Sequence, residues 1–201
     1  RIGQEIVNLQ RPEIGELSEG FIDGAVGSIT MPQKRNPEIS EHLGTLSRIV
    51  RHHAAHSAEN LVHSHERDGR SWKGEWVIIP DATLATGKSL SLLKLLLADL
   101  QVNKARMQAN IQATNGFIHA EAVMLNLAKI VGKQTAHTLV YDIAMQAQTS
   151  GLHFKQALLQ NADVSAVLSP EAIEALFDLE QSAGACAQMV EQVIAQREAV
   201  N

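Results

Sequence analysis

The chain has 201 residues with 45% hydrophobic side chains, enough for one large or two small domains with a buried core. Aromatics at 3% against abundant Ala and Leu favour helix over sheet, and a formal net charge of -5 argues against a nucleic-acid partner, which calls for a basic face. The single cysteine, Cys186, excludes an internal disulfide and fits a reducing cytoplasm; no signal peptide is visible, and the longest apolar run, around 92–100, is broken by Lys94 and Asp99 and is too short to span a bilayer.

The first ten residues read as the middle of a helix, with Ile2, Ile6 and Leu9 at helical spacing and no initiator Met, so a piece of a longer protein is expected. Pro12 ends or kinks this helix. A turn-rich loop follows from Gly20 to Pro37, and a loop of that length in a compact domain is usually functional or disordered. A long helix is expected from Pro37, with Leu43, Leu46, Ile49, Val50, Ala54, Ala58 and Leu61 as one apolar stripe. After the polar stretch His63 to Lys73, residues 76–100 are apolar almost all round, with Pro80 near the start, where proline is best tolerated. Such a helix belongs in the centre of a bundle.

Gln101 to Asn103 is a short break, and Lys104 to Ile111 one more short helix. Gly116 opens a second section. A helical pair over 118–131 and 133–149 turns at Gly132, a good residue just past a helix end. A short helix is expected over 154–159. Ser169-Pro170-Glu171 is a helix start, with a cap, proline at the first position and acid in the first turn. The last helix is expected over 181–197. Nothing alternates with period two over a useful length. The fold class is therefore all-α, a helical-bundle segment over 1–112 carrying the loop 20–37, and a C-terminal helical domain over 113–201.

The loop ends in Gly27-Ser28-Ile29-Thr30-Met31-Pro32-Gln33-Lys34-Arg35-Asn36-Pro37. On composition alone it reads as an ordinary solvated loop. Its residue types also suit proton abstraction next to a carboxylate, which builds a dianion that needs fixed donors and cations. Ser28 offers a base only if its alkoxide is stabilised; Lys34 adds a cation, Asn36 an amide, and the helix start at Pro37 a positive dipole end.

This segment closely resembles the signature of the fumarase/aspartase superfamily, Gly-Ser-Ser-x-Met-Pro-x-Lys-x-Asn-Pro, with Ile29 in place of the second serine. The resemblance implies Ser28 as the catalytic base and Lys34 and Asn36 as carboxylate ligands, with Thr30 and Gln33 of the same motif at the substrate. It extends over the whole chain, which reads as the later part of a member. It further implies no cofactor and no metal, a cytoplasmic homotetramer around a helical core, and active sites that take residues from three chains.

Residues 65–76 separate the branches of the family. Adenylosuccinate lyases share Glu66-Arg67-Asp68, then place a serine and an arginine five and nine positions after that Arg to hold a nucleotide phosphate. Here those positions are Trp72 and Trp76, and an indole has one donor and no charge. Together with Ala120-Glu121-Ala122-Val123, Gly132 and Ala136-His137, they resemble 3-carboxy-cis,cis-muconate cycloisomerases instead. The tryptophans, four apart, also fit simple packing on one helix face, and both readings can hold. The expected function is thus a lyase or cycloisomerase acting on a polycarboxylate, with Arg67, Trp72 and Trp76 at the substrate. Adenylosuccinate lyase is the alternative, and a fragment that only oligomerises is a second.

Five histidines lie between His52 and His65, with His52 and His56 spaced as two ligands on one helix face but no third ligand nearby, so solvent-facing or packed histidines are expected. Cys186 is expected in the core, and Arg35 either touches substrate or pairs within the loop.

Overall fold

The computed structural model describes residues 1–20, 30, 31 and 33–198, and the chain divides into two compact units, Arg1–Met107 and Gln108–Asn201. The chain is mostly helical, as its composition predicts.

In the first unit, α1 (Ile2–Leu9) buries Ile6 and Gly3, and Gly3 lies so close to α2 (Glu38–Glu59) that an added Cβ would meet the Ser40 carbonyl oxygen at 2.6 Å. The helix has already ended two residues before Pro12 is reached, with Gln10 as its C-cap. α2 and α3 (Gly69–Ala98) run antiparallel. The register is set by Asn60, whose side chain leaves no room for a Cβ on Gly74, and by His53 Nε2, 3.8 Å from Asp81 Oδ2.

α3 begins well before the expected position because Asp68 caps it, its carboxylate accepting the Arg70 N–H at 3.0 Å. Pro80 therefore lies inside the helix and leaves the Trp76 carbonyl without its usual partner. The expected burial is also corrected. Of α3, Ser71, Ile78, Ala85 and Leu96 are buried, while Trp72, Trp76, Ile79, Leu84, Leu90 and Leu97 are exposed. Of α2, only Ser40 is buried, and of the expected stripe Ile49, Ala54, Ala58 and, just past the helix, Leu61 are exposed. Two helices cannot cover a surface that is apolar on every side.

Two short strands pair antiparallel, β1 (Leu17–Ser18) with β2 (Gln101–Val102), Leu17 opposite Val102. They tie the segment after α1 to the end of α3. The Arg106 guanidinium of α4 (Lys104–Ala113) reinforces the tie by donating to the carbonyls of Ile14 and Glu13 at 2.9 and 2.8 Å.

The second unit opens with a 3-10 turn, Phe117–His119, and a hairpin of α5 (Ala120–Val131) and α6 (Lys133–Ser150). Gly132 makes the turn at φ 84° and ψ 154°, a conformation open essentially to glycine alone. α7 (Phe154–Gln160), α8 (Ala162–Ser165) and α9 (Pro170–Ala175) close over the hairpin, and Val123, Leu127, Ala136, Val140, Ile143, Phe154, Leu158, Val164 and Ile173 form the core. The α9 start follows the sequence signal, Ser169 Oγ accepting the Ala172 N–H at 3.2 Å. The expected last helix is two, α10 (Leu179–Ser182) and α11 (Cys186–Glu198), separated where Gly184 takes φ 54°. Cys186 is exposed at the start of α11 rather than in the core, because none of the described residues outside that helix covers it. No helix among the described residues is long and apolar enough to cross a membrane.

Candidate active site

Pro37 precedes α2 but offers no side-chain cap, so the first N–H groups of the helix need an acceptor from elsewhere. Glu19 supplies it. Its carboxylate accepts the N–H of Ile39 at 3.2 Å and of Ser40 at 2.7 Å. Gln10 holds both sides of this junction: its Oε1 accepts the Glu19 N–H at 2.9 Å, and its Nε2 donates to the Arg35 carbonyl at 3.4 Å. The strand-like stretch before the loop and the segment after it are thereby fixed to one another.

Around this junction lies a concavity of about 470 Å³, lined by Gln10, Glu19, Arg35, Asn36, Asp99 and Gln101 among others. Gly20 packs directly on the Asp99 carboxylate, which occupies the space of any side chain at that position. Asn36 is half-buried in the concavity wall, while Thr30, Gln33 and Lys34 are exposed, and the Lys34 N–H closes a turn onto the Met31 carbonyl at 3.0 Å. Arg35, whose role the sequence leaves open, also lines the concavity. Ser28 lies outside the described residues. The arrangement puts the Asn36 amide and the Arg35 side chain in a wall that also carries the Glu19 and Asp99 carboxylates, with Glu19 already taking the N–H groups of the helix start.

Arg67, Trp72 and Trp76 occupy the other end of the hairpin. Arg67 is exposed at φ 61°. Next to it the Asp68 carboxylate takes two bonds from the Arg70 side chain, at 3.1 and 2.7 Å, and the backbone N–H groups of Arg70 and Ser64. The Arg70 side chain, then these backbone donors, hold the Asp68 carboxyl well below the usual carboxylate range, and Asp68 in turn raises Arg70. The Trp72 and Trp76 rings meet edge to face, 5.5 Å apart at 68°, and both are more than half exposed, at 59% and 61%. They pack on each other and still present a surface.

The whole of α2 separates the two groups. Its 22 residues span about 33 Å, so Arg67, Trp72 and Trp76 do not reach the concavity beside Asn36 in the same chain. Glu19, Gln10 and Asp99 escape sequence reasoning because their partners are remote. One signal is present: a helix start at a proline, with no capping side chain of its own, calls for an acceptor from another segment. His52 and His56 are exposed, and no cluster of three or more His, Cys, Asp or Glu side chains gathers among the described residues.

The profile described as "Adenylosuccinate lyase C-terminus" matches residues 116–193. N-acetyl-S-(2-succino)cysteine lyase of Dickeya dadantii is 37% identical over 194 residues, covering 96% of this chain and 43% of the relative. Adenylosuccinate lyase of Methanocaldococcus jannaschii is 36% identical over 196 residues, covering 96% and 42%. The crystal structure of 3-carboxy-cis,cis-muconate lactonizing enzyme from Pseudomonas putida superposes with a TM-score of 0.84 at 29% identity, covering 98% of this chain and 44% of that one. The chain thus spans less than half the length of the relatives it matches.

Proposed function

Since this chain belongs to the fumarase/aspartase superfamily, we propose that it serves a lyase that eliminates a group β to a carboxylate. The observation that carries the reading is the motif 27–37 ending in a satisfied helix start, with Asn36 in the wall of a concavity and Lys34 exposed two positions earlier in the chain. In this reading Ser28 removes the proton α to a carboxylate. The C–H electron pair becomes the new carbon–carbon double bond, and the leaving group departs from the β carbon with its own bonding pair. Lys34 and Asn36 hold the carboxylate whose charge builds up on the way, with Thr30 and Gln33 at its edge. This chemistry needs no cofactor.

Arg67, Trp72 and Trp76 complete the substrate site from another copy of the chain. The length of α2 supports this division, and so do the exposed apolar side chains of α2 and α3, which a homotetrameric core would cover. The relatives carry different leaving groups at similar identity, so the succinyl or polycarboxylate part of the substrate is the shared feature. A second reading, lactonisation of a carboxymuconate by addition of a carboxylate across a double bond, is favoured by Trp72 and Trp76 where a phosphate clamp would need a serine and an arginine. The test is a substrate panel on the full-length protein: N-acetyl-S-(2-succino)cysteine, adenylosuccinate and 3-carboxy-cis,cis-muconate. Turnover of either non-nucleotide substrate is expected. Efficient cleavage of adenylosuccinate sinks the argument from the tryptophans, and no turnover of any of the three favours a chain that only oligomerises.

A further inference from the structure

The second unit contains a concavity of about 360 Å³, within the range of small-molecule sites, that the proposed lyase chemistry does not use. Its walls include His119, His153, Phe177, Gln112 and Gln156, with Gly116 between them. His119 is only 7% exposed. The tautomers of both histidines follow from their partners. Ser182 Oγ donates its single hydrogen to the Asp178 carbonyl at 2.8 Å, so in its 3.3 Å contact with His119 Nδ1 it accepts, and His119 carries its proton on Nδ1. His119 Nε2 is then an acceptor, and no described residue bonds to it. His153 has the opposite tautomer: its Nδ1 accepts the Lys155 N–H at 3.2 Å, which leaves the hydrogen on Nε2 as a donor.

Gly116 lets His153 and Phe177 pack directly on the backbone at the floor of the concavity. At φ 82° it takes a conformation that suits glycine, and an added Cβ would stand 2.6 Å from His153 Cε1, 3.1 Å from His153 Nε2 and 3.1 Å from Phe177 Cε1. The His153 and Phe177 ring edges thus occupy the space of the missing side chain, and a Cβ at this position would displace both rings from the wall of the concavity. The surroundings are aromatic, with Phe177 4.9 Å from His119 and 6.2 Å from His153 between ring centroids. They are also electrically balanced, because the one wall ammonium, Lys155 Nζ, is paired with Glu174 Oε2 at 2.7 Å. Burial, and then the neighbouring His153, lower the His119 pKa and keep its ring neutral.

An acceptor, a donor, aromatic walls and no unbalanced charge select one ligand chemistry. We propose that this concavity binds a flat, uncharged heterocycle carrying a ring N–H beside an acceptor, the edge shared by cyclic amides and nucleobases. His119 Nε2 takes the ligand N–H, and His153 Nε2–H donates to the ligand acceptor.

The test is titration of the 201-residue chain with 2-pyridone at mildly alkaline pH, followed in proton–carbon correlation spectra of the histidine rings. Saturable shifts of the His119 and His153 Cε1–H signals are expected, with the remaining histidines unmoved. N-methyl-2-pyridone keeps the carbonyl and lacks the N–H, and is expected to bind at least about tenfold more weakly. Gly116→Ala, checked for folding by circular dichroism, is expected to abolish the shifts. Absence of saturable shifts, equal binding of the methylated probe, or unchanged binding by a folded Gly116→Ala chain each overturns the site. If Gly116→Ala does not fold, the pair of probes decides alone.

Discussion

Glu19 Oε1 stands 2.7 Å from the backbone nitrogen of Ser40, twenty-one positions later in the chain. This bond gives the helix that follows the motif 27–37 a cap from the segment that precedes it. Both ends of the loop are thereby held at one point, and the motif residues Lys34 and Asn36 inherit a defined position from a side chain outside the motif.

Removing that cap has a measurable cost. Glu19→Ala is expected to destabilise the first unit by about 0.5–2 kcal/mol, the range for loss of a helix cap. Glu19→Gln, which keeps an acceptor, is expected to lose less. Urea denaturation measures the difference, and amide hydrogen exchange at Ile39 and Ser40 locates it. Unchanged protection of those two amides in Glu19→Ala removes Glu19 as the cap.

The span of α2 predicts that active sites are shared between copies. In the full-length protein, Ser28→Ala is expected to lower kcat by at least about a hundredfold, as for loss of a general base. Arg67→Ala is expected to act mainly on KM. Mixing the two variants under conditions of subunit exchange, assayed at substrate concentrations where each alone is impaired, is expected to restore part of the activity, since some sites then combine an intact Ser28 with an intact Arg67. No recovery after verified exchange contradicts a composite site.

His119 gives the second unit a pH dependence of known sign. Burial first, and His153 second, depress its folded pKa below the ordinary value of 6.5. The unfolded chain therefore takes up a proton before the folded one does. Stability is full above about pH 6.5 and falls as the pH drops toward the lower folded value, below which this contribution is constant. Thermal melts between neutral and mildly acid pH are expected to show the decline, and His119→Phe is expected to flatten it. Rising stability on acidification contradicts the assignment.

Two glycines separate strain from space. Gly132 has open surroundings, so Gly132→Ala tests its backbone conformation alone and is expected to cost about 1–3 kcal/mol. Gly87 also has open surroundings but lies in the helical interior of α3, so Gly87→Ala is expected to stabilise by about 0.5–1 kcal/mol. Opposite signs in denaturant midpoints confirm the distinction, and equal signs reject it.

What the sequence determined by itself is local. Helical periodicity, the Ser169-Pro170 start, the Gly132 turn and the motif 27–37 each depend on side chains a few positions apart, whose effects on the backbone need no distant partner. The polarity of His63 to Lys73 hides the α3 start, because Asp68 within that stretch is a cap and not merely a solvated charge. Other features depend on segments that meet only after folding. Glu19 reaches α2, Asp99 fills the space beside Gly20, Ser182 sets the tautomer of His119, and the 22 residues of α2 keep Arg67 away from Asn36. Burial is also decided there. The apolar faces of α2 and α3 have the pattern of a bundle core, yet two antiparallel helices have too little surface to cover both, so the pattern announces a need for cover and only packing shows that this chain does not meet it.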